Sequence, residues 1–216
     1  MIGALMSRLG PRQRDPIGAV PLNPAKVRSA CLLANFVKAL GKRPEPIVVE
    51  LGPATEGNVA FLGEHMACRI FVEDLLEKLP QDDADQDAVL PPRGYADESV
   101  DGILCWDIFD YLSPSAGQDL ADDLARVLRP GGALLLYHRT ESLSDRRRVK
   151  YEIVDEESLR WRICNDALSR PSRVLQSREV ARMFRSLNIA GAIRLKSQMR
   201  EVLFRKSSMA GQSRLT

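Results

Sequence analysis

Apolar and polar residues change rhythm several times along the chain, and each change marks an element. Asn23-Pro24 reads as an N-cap followed by a proline at the first helical position. Val27, Ala30, Cys31, Ala34, Val37 and Leu40 then recur at helical spacing, which predicts a helix over 24–40 stopped by Gly41. Ile47-Val48-Val49-Glu50-Leu51 is short and largely β-branched, so a buried strand is predicted there. A Gly-containing turn, a helical stretch over 58–66 and a second strand over 68–72 follow, with Glu73-Asp74 at the strand end. Residues 75–79 allow one or two helical turns, and 80–99 read as an acidic loop. A third clear strand is predicted over 100–106, a helix over 115–128 and a strand over 133–137 after the breaker Pro130-Gly131-Gly132. Residues 140–175 are charged and irregular, with strand character near 149–154. A helix over 177–187 and two strands over 189–195 and 201–204 close the pattern.

Strand–helix alternation through the middle predicts an α/β domain with a mostly parallel sheet, helices on both faces and an antiparallel C-terminal strand. The expected organisation is a flexible tail over 1–22, one domain over 23–206 with an insertion at 140–175, and a C-terminal tail over 207–216.

Composition narrows the function classes. The 216 residues are 44% apolar and 28% charged, as in a soluble domain that buries its own core. No apolar run approaches the roughly 20 residues of a membrane helix. The apolar start Met1–Met6 lacks the basic region of a secretory leader. A cytoplasmic location and no membrane partner are expected. Cys31, Cys68, Cys105 and Cys164 have no CxxC spacing, and with only two histidines a Cys/His zinc cluster is not expected. Buried thiols and no metal are expected.

The net charge of +2 hides an asymmetry: residues 1–45 carry net +6, residues 46–137 net −13 and residues 138–216 net +9. The run Arg146-Arg147-Arg148-Val149-Lys150 raises nucleic acid as a partner, but Glu152, Asp155, Glu156 and Glu157 interrupt it at once. A solvated loop face is the better reading.

The candidate chemistry lies at strand ends. The turn Glu50-Leu-Gly-Pro-Ala-Thr-Glu-Gly57 would bring backbone N–H groups and a helix start to the carboxyl edge of the sheet, where such folds bind ligands. A carboxylate at the end of strand two, Glu73, could accept both hydroxyls of a ribose. Ser99-Val-Asp-Gly-Ile-Leu-Cys-Trp-Asp-Ile-Phe-Asp-Tyr-Leu112 places Trp106 and Asp107 at the end of strand three.

In this order, these pieces resemble the class I S-adenosylmethionine-dependent methyltransferases. Glu50-Leu-Gly52 matches the family's acid and first glycine. "SVDGILCWDIFDYL" is similar to its fourth strand and the segment after it. "LARVLRPGGALLLY" is similar to its LxxxLxPGGxLxx piece. The likeness covers roughly 24–206. It departs at Ala54 and Glu56, which stand where the second and third glycines are expected, with Gly57 one place late. A glutamate there conflicts with a positive φ.

The resemblance implies a Rossmann-like methyltransferase fold, S-adenosylmethionine as cofactor and methyl transfer to a small molecule by direct displacement. It assigns cofactor contacts to Glu50, Gly52, Ala54, Gly57, Glu73 and Asp107. Candidates for a base are Asp107, Tyr111 and His138, with Tyr137 behind them. Two rivals stand beside it. One is a methyltransferase fold that binds without catalysing. The other is an NAD(P)-binding protein, since Gly52-x-Ala54-x-x-Gly57 also fits a loose dinucleotide fingerprint. The acid ahead of the glycine turn and the absence of a second domain count against the last.

Overall fold

The computed structural model describes residues 26–53, 55–79, 94–141, 147–167 and 172–208. The expected tail over 1–22, Asn23-Pro24, Ala54 and most of the acidic loop lie outside the described residues, as does all of the C-terminal tail beyond 208.

Six strands form the main sheet: β2 (Ile47–Leu51), β3 (Arg69–Glu73), β4 (Val100–Cys105), β5 (Leu128–Arg139), β8 (Asn188–Arg194) and β9 (Met199–Arg205). Their spatial order is β3-β2-β4-β5-β9-β8. The first four are parallel, β9 runs antiparallel to β5, and β8 pairs antiparallel with β9. This is the predicted α/β architecture with its antiparallel end. Strands β2 and β4 are buried on both faces, so they read as continuous apolar runs without alternation.

Helices α3 (Leu75–Lys78), α4 (Pro114–Val127) and α5 (Ser177–Met183) cover one face. Helix α4 forms where sequence signals agree. The Ser113 hydroxyl accepts from Ala116 N, Pro114 opens the first turn, and Leu120, Leu124 and Val127 turn inward together. On the other face lie α1 (Leu33–Leu40) and α2 (Glu56–Met66). Helix α1 buries Leu33, Phe36, Val37 and Leu40. The approach to the sheet is close: a Cβ on Gly102 would lie 2.6 Å from Leu40 Cδ2.

Four expectations are corrected. The helix predicted over 24–40 is two elements, a strand β1 (Lys26–Ser29) and the shorter α1. A stretch this short does not repay the cost of nucleating a helix by itself, and β1 gains ladder bonds by pairing with a distant strand. The 140–175 segment contains a long hairpin, β6 (Arg147–Asp155) and β7 (Ser158–Ala167), which joins β1 in a second, three-stranded sheet ordered β1-β7-β6. Its apolar residues alternate, Val149, Tyr151 and Ile153 being buried, but the intervening charges mask the period. Strand β5 begins at Leu128 and includes the Pro130-Gly131-Gly132 breaker as an irregularity in its pairing with β4. Gly131 takes φ +78° there, and its N–H donates to Lys206 O. Of the four thiols expected to be buried, Cys105 is; Cys68 and Cys164 are half-buried, and Cys31 is exposed on the turn between β1 and α1.

Candidate functional site

The parallel strands deliver their chemistry to one edge. Glu50 lies near the end of β2, Glu73 ends β3, Trp106 and Asp107 follow β4, and His138 and Arg139 close β5. The predicted residues Glu50, Gly52, Glu73 and Asp107 therefore meet at the carboxyl edge, and Gly52 N donates to Glu73 O at 2.9 Å. The Glu56 conflict does not arise. Glu56 opens α2 and is not among the residues with positive φ. Thr55 caps that helix, its hydroxyl accepting from Asn58 N at 3.3 Å.

Glu50 is fully buried, and one carboxylate oxygen takes every donor offered. Its Oε1 accepts from Trp106 Nε1 at 2.8 Å and from Asn58 Nδ2. Its Oε2 is buried with no partner among the described residues. Burial pushes the Glu50 pKa up, and the Trp106 and Asn58 bonds only partly offset this. Asn58 also donates to Tyr151 O at 3.1 Å and accepts from Ile153 N at 2.6 Å. One amide thus fastens β6 to the end of β2.

Trp106 fills the space over the glycine turn. A Cβ on Gly52 would lie 2.5 Å from Trp106 Cδ1. The indole stacks on Tyr151 with centroids 5.1 Å apart and planes 11° apart, and it tilts against Tyr137 at 4.9 Å. Strand β6 lies across this edge. Arg148 pairs with Asp74 at the end of β3, and the Glu152 side chain covers Gly57, where an added Cβ would meet it at 2.8 Å. The Arg148 of the basic run is thus committed to an internal carboxylate.

Beneath Tyr151 sits a buried charged cluster. Asp107 Oδ2 accepts from Tyr151 OH and from Arg139 Nη2, both at 2.9 Å. Asp110 accepts from Arg139 N at 3.0 Å. Burial, reinforced by the neighbouring Asp107 charge, holds the Asp110 pKa well above the usual carboxylate range. Burial, with Asp107 beside it, also raises the Tyr111 pKa. Burial lowers the His138 pKa to about 4, so its imidazole is neutral at pH 7. His138 Nδ1 lies 3.1 Å from Arg139 O, and Nε2 is buried without a partner among the described residues. Asp107, Tyr111 and His138 are all buried.

Two cavities flank β6. One of about 280 Å³ is lined by Thr55, Glu56, Gly57, Lys150, Glu152 and Arg162. The other, about 350 Å³, lies where the three-stranded sheet faces the end of β5 and the β8–β9 turn. Sequence reading missed Asn58, Tyr151 and Arg139 as parts of the site. The alternation of Val149, Tyr151 and Ile153 was the available signal for Tyr151.

No protein-family model and no curated protein matches the sequence. Among solved structures, the chain is similar to the Burkholderia thailandensis 1,6-didemethyltoxoflavin-N1-methyltransferase, solved with 1,6-didemethyltoxoflavin and S-adenosylhomocysteine bound. The two are 17% identical, the match covers 82% of this chain and 79% of that one, and the TM-score is 0.51. A Methanosarcina mazei S-adenosylmethionine-dependent methyltransferase is 11% identical over 88% of this chain and 100% of that one, with a TM-score of 0.47. The first likeness shows the fold, a Rossmann-like class I methyltransferase architecture. Among the described residues no helix is long and apolar enough to cross a membrane, and no cluster of three metal-ligating side chains occurs.

Proposed function

We propose that the protein is an S-adenosylmethionine-dependent methyltransferase acting on a small molecule. The observation that carries this is the meeting of the Glu50–Gly52 turn with Glu73 at the carboxyl edge of a methyltransferase-fold sheet. Ligands of such sheets bind at that edge. The half-buried Glu73 carboxylate takes no hydrogen bond among the described residues, and a ribose diol would suit it. The unpartnered Glu50 Oε2 suits an ammonium group. Gly52 and Gly57 supply the backbone beneath; the expected contact at Ala54 lies outside the described residues.

The carboxylates fit the cofactor in kind, but the space over Gly52 does not while Trp106 occupies it. No step of a reaction is therefore derived through it. Asp107, Tyr111 and His138 line neither cavity. We assign them to holding the wall around Tyr151 and Arg139 in place, rather than to proton transfer with a substrate.

Trp106 also favours a second reading, a methyltransferase fold that binds a small molecule without the cofactor. Calorimetric titration with S-adenosylhomocysteine separates the two, with NADP as control ligand and Trp106→Ala and Glu73→Ala as variants. Methyl transfer predicts saturable binding by the wild type that Glu73→Ala weakens at least about tenfold, or about 1.4 kcal/mol. In a thermal melt, ligand at 100 times its dissociation constant adds about 2.7 kcal/mol. Silence from both the wild type and Trp106→Ala would overturn the methyltransferase reading. Binding by Trp106→Ala alone would make Trp106 a plug and favour the second.

A further inference from the structure

We infer that the 350 Å³ cavity between the three-stranded sheet and the end of β5 binds a planar aromatic small molecule carrying one anionic group. The reading of this ligand as the methyl acceptor rests on the proposed function; its binding does not.

The walls set the ring. Tyr151, Val149, Trp161 and Leu159 come from the hairpin, and Tyr137 and Met199 from β5 and β9. Flat apolar walls with a few polar groups are the usual make-up of a ligand pocket, and this volume lies at the small end of the roughly 300–1,000 Å³ range. One or two fused rings fill it; a polymer or a lipid chain does not.

The charges set the anion. Arg139 reaches the cavity, but its charge is matched by Asp107 at 2.9 Å. Glu141 is matched by Arg194 at 3.3 Å. Lys196 has no ion partner among the described residues, and it stands on the rim. Among the described residues the rim therefore carries one uncompensated positive charge. It is also built to stay in place. Both Thr140 N and Thr140 Oγ1 donate to Gln198 O, at 2.9 and 3.0 Å, and Leu195 N donates to Met199 O at 2.8 Å.

The position gives this cavity its interest. Tyr137 and Tyr151 line it, and they are also the two rings that pack on Trp106. A ligand here stands one aromatic layer from the indole that covers Gly52.

The test is calorimetric titration of the full chain with 2-naphthoate and with its neutral isostere 2-naphthamide. The wild type should bind both, the acid about tenfold tighter. Lys196→Gln, an exposed change, should remove most of that ratio and leave the amide unaffected. Trp161→Ala should weaken both probes several-fold. Equal affinity for acid and amide, an unchanged ratio in Lys196→Gln, or no binding of either would overturn the inference. S-adenosylhomocysteine titrated in the same series keeps the two proposals apart. Its failure while naphthoate binds removes methyl transfer alone, and the reverse removes this site alone.

Discussion

Trp106→Phe should cost more than its lost volume, because it strips a donor from a buried carboxylate. The Trp106 N–H bonds Glu50 Oε1 at 2.8 Å, and Asn58 is the other donor. Both Glu50 and Trp106 are buried, so water does not replace the bond. A hydrogen bond to a charged group contributes about 1.5–3 kcal/mol, against about 0.5–1.5 kcal/mol for a neutral one. Shrinking the buried ring adds a volume penalty of about 1 kcal/mol. The sum is about 3 kcal/mol, which lowers Tm by roughly 6–12 °C in a domain of this size. In a Glu50→Gln background the partner is neutral, and the same change should cost about 1–1.5 kcal/mol less. The assay is a double-mutant cycle by urea unfolding at pH 7. The coupling should shrink in acid. Burial raises the folded-state pKa of Glu50, so the folded protein holds this proton more tightly than the unfolded chain. Stability from this group then falls as pH rises through the window above the ordinary carboxylate value. Below that window both states are protonated and the charged bond is gone. Trp106→Phe costs equal within about 0.5 kcal/mol in the two backgrounds would refute the reasoning.

Arg139→Met should leave Asp107 buried beside Tyr151 alone, at a cost of about 3–5 kcal/mol. Adding Asp107→Asn should recover much of the loss, as read by circular-dichroism melts. His138 titrates near 4 because burial disfavours its charged form, whereas the unfolded chain takes up that proton near 6.5. Stability is then complete above pH 6.5 and falls as pH drops toward 4, by up to about 3 kcal/mol from this group. The check is the same melt on His138→Gln, which should show a flatter profile over that range.

The parts of the fold legible in the sequence are those held by near neighbours. Strands β2 and β4 are apolar runs, and α4 carries its own cap, proline and stripe, so each announces itself within a dozen residues. Strand β1 is stable only through pairing Lys26 with Trp161 and Ser29 with Ser158, partners no local pattern reveals. The site divides in the same way. The acid–glycine turn and Glu73 are local signals, and the topology brings them together. What surrounds Glu50 is not local: Trp106 comes from 56 positions away, and Asn58 reaches Tyr151 across 93. Of the two departures from the glycine pattern, Glu56 opens α2 under the Thr55 cap, and Ala54 lies outside the described residues. A physical constraint on any ligand over Gly52 comes from the Trp106 indole. It is held by a hydrogen bond, two aromatic rings and strand β6. A substituted glycine can be compensated by a change of backbone. An anchored aromatic in the same space must be displaced before a ligand can lie there, and Tyr151, which stacks on it, also lines the neighbouring cavity.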